Sequence, residues 1–242
     1  MWIFSKELQI TGQLLGKAPG TVCFVGGGGK TTLMYTLARH RAKLGQKVLV
    51  GTTTRILIPP RFYAADEQQA KALWAQGQPA VIGTPCGEKL TANPELLARL
   101  RTQADITLLE ADGAKGHPCK VPAAWEPVID AECDWVVAVF GISAIGRPLQ
   151  EVCFRLTDAT ALLDVPADHI LTPLDAARML ASPNGGRKAV GNRRWCAVLN
   201  QCDDKLRRTY AEETARYLEE MGEENVIMTA FDEQEREQWM EI

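Results

Sequence analysis

The chain is poor in the features that would take it out of the ordinary run of globular proteins. Among its 242 residues the longest apolar run, Val136 to Ile142, falls far short of the ~20 residues that a membrane-spanning helix needs. The opening MWIFSKELQI has no basic region followed by an apolar stretch and a small-residue cleavage site, so no secretory leader is expected. The seven cysteines, at 23, 86, 119, 133, 153, 196 and 202, form no CxxC pair, and their odd number reads as reduced thiols in a cytoplasmic protein. Charge of one sign is not in excess, with 27 Lys+Arg against 30 Asp+Glu, which offers no general attraction to nucleic acid or to a membrane surface. Serine occurs three times and never in a G-x-S-x-G elbow, which argues against a hydrolytic triad. His117-Pro118-Cys119 is the only close His/Cys pair and brings no further ligands at metal spacing, so Cys119 reads as a loop cysteine.

What is present is an even supply of core and surface residues, 46% apolar and 24% charged. Thr21-Val22-Cys23-Phe24-Val25 is a continuous apolar run, the mark of a parallel strand buried on both faces. Four glycines follow, and then a helix whose apolar stripe is Leu33, Met34, Leu37, Ala38 and Leu44, closed by Gly45 before a strand at Lys47 to Val50. Further strands are predicted at 80–82, 106–109, 135–140, 195–199 and 226–228. Helices are predicted at 5–15, 94–101 capped by Asn93, 173–180 capped by Thr172, and 203–221. Strands alternating with helices predict a single α/β domain over 1–242: a P-loop NTPase-like three-layer sandwich, its mainly parallel sheet covered by helices on both faces. Residues 1–19 read as an N-terminal helix and turn. Residues 212–242 read as a solvated acidic region with eleven carboxylates against Arg216 and Arg236.

Gly26-Gly27-Gly28-Gly29-Lys30-Thr31-Thr32, between a strand and a helix, has the context of a phosphate-binding loop. Glycine amides and the helix N-terminus would form an anion nest. Lys30 would bridge the β- and γ-phosphates, Thr31 would ligate Mg²⁺, and Thr32 would reach the α-phosphate. The first glycine of the usual pattern is replaced by Phe24. A carboxylate at a neighbouring strand end is needed for the metal or its waters. Glu110 and Asp112 are the candidates, Asp112 also as the group that orients a nucleophile, with Lys115 placed to neutralise a transferred phosphoryl group. Asn200-Gln201-Cys202-Asp203, after a late strand, resembles the base-reading pattern Asn-Lys-x-Asp. Asn200 and Asp203 are therefore candidate base contacts, with ATP or GTP left open because Gln201 stands where that pattern has lysine. Asp203 or Asp204 could instead cap the following helix. Thr52-Thr53-Thr54-Arg55, and Arg147 with Arg155, are further candidate anion contacts.

Five segments together, GGGGKTT, VLVGTTTRI, EADGAKGHPCKVP, GISAIGRPL leading to Arg155, and LTPLDAARML followed by VLNQCD, resemble the selenium-dependent hydroxylase accessory protein YqeC family over residues from about 20 to 205. The resemblance implies a phosphate-loop fold and a supporting role in maturing selenium-dependent molybdenum hydroxylases. Its implied partners are a nucleotide and a molybdenum hydroxylase or its cofactor-maturation proteins. Residue chemistry gives a Mg²⁺-dependent nucleotide hydrolase, a small-molecule kinase or ATP-dependent ligase, or a nucleotide sensor without catalysis.

Overall fold

A computed structural model describes residues 4–5 and 20–230. In chain order the elements are β1 (Phe4–Ser5), β2 (Gly20–Gly26), α1 (Lys30–Lys43), β3 (Val48–Thr52), β4 (Arg55–Leu57), α2 (Glu67–Ala75), β5 (Ala80–Val81), β6 (Thr84–Cys86) and β7 (Lys89–Thr91). They continue with α3 (Pro94–Arg101), β8 (Ile106–Glu110), β9 (Cys119–Lys120), β10 (Cys133–Gly141), α4 (Leu149–Val152), β11 (Cys153–Phe154), α5 (Leu156–Leu163), α6 (Pro173–Ala181), β12 (Arg194–Asn200), α7 (Lys205–Glu220) and β13 (Val226–Thr229).

Eight strands form one parallel sheet in the order β1-β13-β12-β10-β2-β8-β3-β5. The apolar run of β2 sits at its centre, and successive residues feed opposite faces, as the two-residue period of a strand requires. Val22 and Phe24 pack with Leu33, Met34 and Leu37 of α1, while Cys23 and Val25 belong to the opposite core with Leu96 and Leu100 of α3, Met179 and Leu180 of α6, and Leu218 of α7. Each such large side chain taken fully out of water contributes roughly 1.5–3 kcal/mol, so the two apolar faces hold the layers together.

The caps explain where helices start. Asn93 accepts from the Leu96 amide and Thr172 from the Asp175 amide, the caps expected from the sequence. The Asp175 side chain accepts in return from the Thr172 amide, which completes a capping box that was not among those expectations. Asp204, not Asp203, caps α7 by accepting from the Arg207 amide, so the helix begins at Lys205 rather than at 203. Leu44 is not part of the apolar stripe: it lies at the C-cap of α1, beyond the last full turn, and is 60% exposed. The helix expected over 5–15 lies outside the described residues, except that Ser5 pairs with β13 as a strand residue. Residues 231–242 of the acidic region also lie outside them.

Four elements that the pattern did not announce follow β3. These are α2 and the antiparallel sheet β4-β7-β6, whose strands of three residues are too short to show a period. No helix among the described residues is long and apolar enough to cross a membrane.

Candidate phosphate-binding site

The central strands end together. Phe24 is in register with Glu110, Val139 with Gly26, and Gly141 with Asn200, so β2, β8, β10 and β12 deliver their last residues to one edge of the sheet. In an open parallel sheet this is the edge where ligands bind.

The glycine loop crosses that edge under tight constraint. Gly26, Gly28 and Gly29 have positive φ. At Gly28 a Cβ would collide with the Gly141 backbone and stand 2.7 Å from the Pro118 carbonyl oxygen. Only glycine combines that conformation with that approach. The loop amides are already engaged: Gly26 donates to the Asp112 carboxylate at 3.0 and 3.1 Å, Gly27 to the Val139 carbonyl at 2.9 Å and Gly28 to the His117 carbonyl at 3.0 Å. The anion nest expected from four glycines is thereby narrowed toward the first turn of α1, where the amides of Lys30, Thr31 and Thr32 have no intrahelical acceptor.

Lys30 is buried, donates to the Gly26 carbonyl at 2.6 Å and pairs with Asp112 at 3.2 Å. Thr31 Oγ1 donates to Glu110 Oε2 at 2.6 Å. Two oxygen donors so joined, at the mouth of an anion site, suit a hard cation such as Mg²⁺, which takes one or two protein oxygens and keeps several waters. Burial pushes the Glu110 carboxyl above its ordinary value, opposed by the Lys30 charge and the Thr31 hydrogen bond.

The sign of that shift sets a pH dependence. The folded chain keeps the Glu110 proton to higher pH than the unfolded chain, so this residue's contribution to stability falls as pH rises from the ordinary carboxylate value through the raised one. Glu110→Gln removes the ionisation and leaves an acceptor for Thr31. Thermal melts should show it more stable than the parent at about pH 8 and equal to it at about pH 4. A difference that is constant with pH would contradict the assignment.

Asp112 lies two residues past Glu110, but β8 stops at Glu110 and the carboxylate turns into a cluster of ions. Only 1% exposed, its oxygens face Gly26, Lys30 and, at 3.3 Å, Lys120. Lys120 in turn contacts Glu126 at 2.8 Å, and Glu126 lies 3.6 Å from Arg155. The result is an alternating row, Lys30–Asp112–Lys120–Glu126–Arg155. Burial would push Glu126 up, but the Lys120 hydrogen bond and charge outweigh it and hold the carboxyl below its ordinary value.

Sequence reasoning missed Lys120, Glu126 and Phe154. A signal for Lys120 existed: a lysine set between Cys119, Val121 and Pro122 has little way to reach solvent. Lys115, the lysine singled out instead, is exposed, with Nζ 5.3 Å from the Phe154 ring centroid. Cys119 is fully buried, donates to the Val152 carbonyl at 3.5 Å, and is raised well above the ordinary thiol value by the neighbouring Cys153 thiol and by burial, which fits an inert thiol.

Asn200 is buried beneath the loop, donating to the Gly28 carbonyl at 2.7 Å and accepting from Thr229 at 2.8 Å, so its amide joins the glycine loop to β13. Asp203 is exposed and 2.9 Å from Arg207. Thr52 donates to the Glu110 carbonyl at 2.9 Å and Thr53 to Val128 at 2.7 Å, tying β3 to its neighbours, while Arg55 is exposed.

A glycine loop at the C-terminal edge of a parallel sheet, with a threonine-carboxylate pair beside a buried lysine, defines the class as an α/β protein with a phosphate-loop type of site. The chain belongs to the YqeC protein family, whose model matches residues 22–157. It is 28% identical over 205 residues to the uncharacterized protein YqeC of Escherichia coli (strain K12), covering 78% of this chain and 80% of that protein. The crystal structure of HypB from Helicobacter pylori in complex with nickel aligns over 96% of this chain and 94% of its own, with a TM-score of 0.39 and 11% identity.

Proposed function

We propose that the protein is a Mg²⁺-dependent nucleotide-binding protein, hydrolysing ATP or GTP within one α/β domain. The carrying observation is the Thr31–Glu110 hydrogen bond beside the buried Lys30 at the start of α1. In this reading Lys30 and the amides of Lys30 to Thr32 hold the phosphates, and Thr31 and Glu110 hold the metal, which would screen the phosphate charge. Gly26 to Gly29 shape the loop. Asp112 positions Lys30 and Gly26 instead of touching the metal, and Asn200 positions the loop. Asp203, on the exposed rim after β12, is the group left to contact the base.

The sequence resemblance supports a place in the maturation of selenium-dependent molybdenum hydroxylases, with the hydroxylase or its cofactor-maturation proteins as client.

Titration with ATP and with GTP, each with and without Mg²⁺, tests the site. Lys30→Ala should weaken Mg²⁺–nucleotide binding about 100-fold, since an ammonium shared between two phosphates makes more than one charge-assisted hydrogen bond. Asp112 keeps Lys120 and the Gly26 amide in that variant, so the fold should stand. Unchanged affinity in folded Lys30→Ala would overturn the assignment.

A further inference from the structure

Beside the glycine loop lies a cluster that the phosphate site does not use. β9 and β11 pair in parallel, Cys119 with Cys153 and Lys120 with Phe154, which brings segment 113–120 against residues 153–155. Phe154 is the hub. The His117 ring stacks on it at 5.9 Å between centroids and 22° between planes. Lys115 Nζ stands 5.3 Å, Lys120 Nζ 5.6 Å and the Arg155 guanidinium 4.7 Å from its centroid. The same guanidinium lies 5.1 Å from the ring of Trp125, which is 70% exposed.

Three cations converge on one ring, and with Lys30, which shares Asp112 with Lys120, they set four positive charges against the carboxylates of Asp112 and Glu126, a surplus of positive charge. Arg155 adds two marks of a built position. Its backbone is left-handed at φ 71°, a conformation that a side chain with a Cβ rarely adopts, and its buried Nε has no hydrogen-bond partner among the described residues. Sterically costly backbone held by its surroundings is characteristic of functional positions.

The cluster borders the phosphate loop directly. The carbonyl of His117 accepts from Gly28 while its ring stacks on Phe154, and Lys120 contacts both Asp112 and this cluster.

We infer that Phe154, Arg155, Lys115, His117 and Trp125 form a second subsite, for a flat aromatic or heteroaromatic small molecule that carries a phosphate or carboxylate. The exposed ring of Trp125 suits a planar ligand and Lys115 and Arg155 suit its anionic group, while Phe154, half-buried against the His117 ring, sets where those two cations stand. As the site of a second substrate next to bound nucleotide, the subsite rests on the phosphate-loop reading for its purpose. Its existence is tested separately.

The test is calorimetric titration of 1-naphthyl phosphate into the parent protein, Lys30→Ala, Phe154→Leu and Arg155→Asn, with inorganic phosphate and 2-naphthol as comparison probes. Asparagine tolerates the left-handed backbone, so Arg155→Asn keeps the test open if Phe154→Leu fails to fold. Saturable binding of similar strength to the parent and to Lys30→Ala is expected. Binding should be about tenfold weaker or worse in each folded subsite variant and for each comparison probe, the size of one lost charge-assisted contact or one lost ring contact. Three results would overturn the subsite: no saturable binding to the parent, binding lost in Lys30→Ala (the probe then sits in the glycine loop), or binding untouched by both subsite substitutions. If 1-naphthyl phosphate binds and nucleotide does not, the subsite stands and the phosphate-loop reading falls.

Discussion

Asp112→Asn should lower the melting temperature by roughly 10 °C. The substitution keeps an oxygen for the Gly26 amide and removes the charge between Lys30 and Lys120, 3.2 and 3.3 Å away. All three side chains are nearly excluded from solvent, at 4%, 1% and 0% exposure. Breaking a buried ion pair by removing one partner costs about 3–5 kcal/mol, because the remaining charge keeps its desolvation cost without its compensation. Each kilocalorie is worth about 2–4 °C in a chain of this size. Lys120 retains Glu126 and the Gly113 carbonyl, both at 2.8 Å, so most of the loss falls on Lys30. A double variant, Lys30→Met with Asp112→Asn, should therefore recover part of the stability, and the non-additivity measures the pair directly. An unchanged melting temperature with lost nucleotide turnover would instead return Asp112 to the nucleophile-orienting or metal role suggested by its spacing from Glu110.

Gly28→Ala is the second large effect. Alanine at φ +79° is strained in itself, and its methyl would collide with Gly141, whose own amide is held by the Pro118 carbonyl at 2.7 Å. The obstruction is backbone on both sides, so no side chain can rotate away. Losses beyond about 4 kcal/mol arise from such overpacking at a special backbone position, and the variant should melt far below the parent or fail to accumulate as folded protein. Gly45→Ala is the control. Gly45 also has positive φ but has open space around it, so that variant reports the backbone strain alone. Equal losses at the two positions would show that the contact with Gly141 carries no weight.

What could be read in the sequence was what the chain settles locally. The buried strand before the glycines, the helix after them, and the Asn93 and Thr172 caps each depend on residues within a few positions of one another. The sheet edge that gathers Lys30, Thr31 and Glu110 followed from strand–helix alternation. The ion row did not, because Lys30 and Lys120 meet across 90 positions and only the fold places Asp112 between them. Nor did the role of Asn200, whose bond to Gly28 spans 172 positions. The sequence made both Glu110 and Asp112 candidates for the metal. The strand's end at Glu110 separated them, sending one carboxylate to Thr31 and the other to the lysines.

A run of four glycines in a sequence reads as slack. Ordering a residue's backbone costs roughly 1–2 kcal/mol in conformational entropy, and more for glycine than for any other residue. Here the amides of Gly26, Gly27 and Gly28 are already fastened to Asp112, Val139 and His117. That entropy is lost when the chain folds, not when an anion arrives. An arriving phosphate meets a loop whose shape is already set, so little of its binding free energy is spent on ordering the backbone.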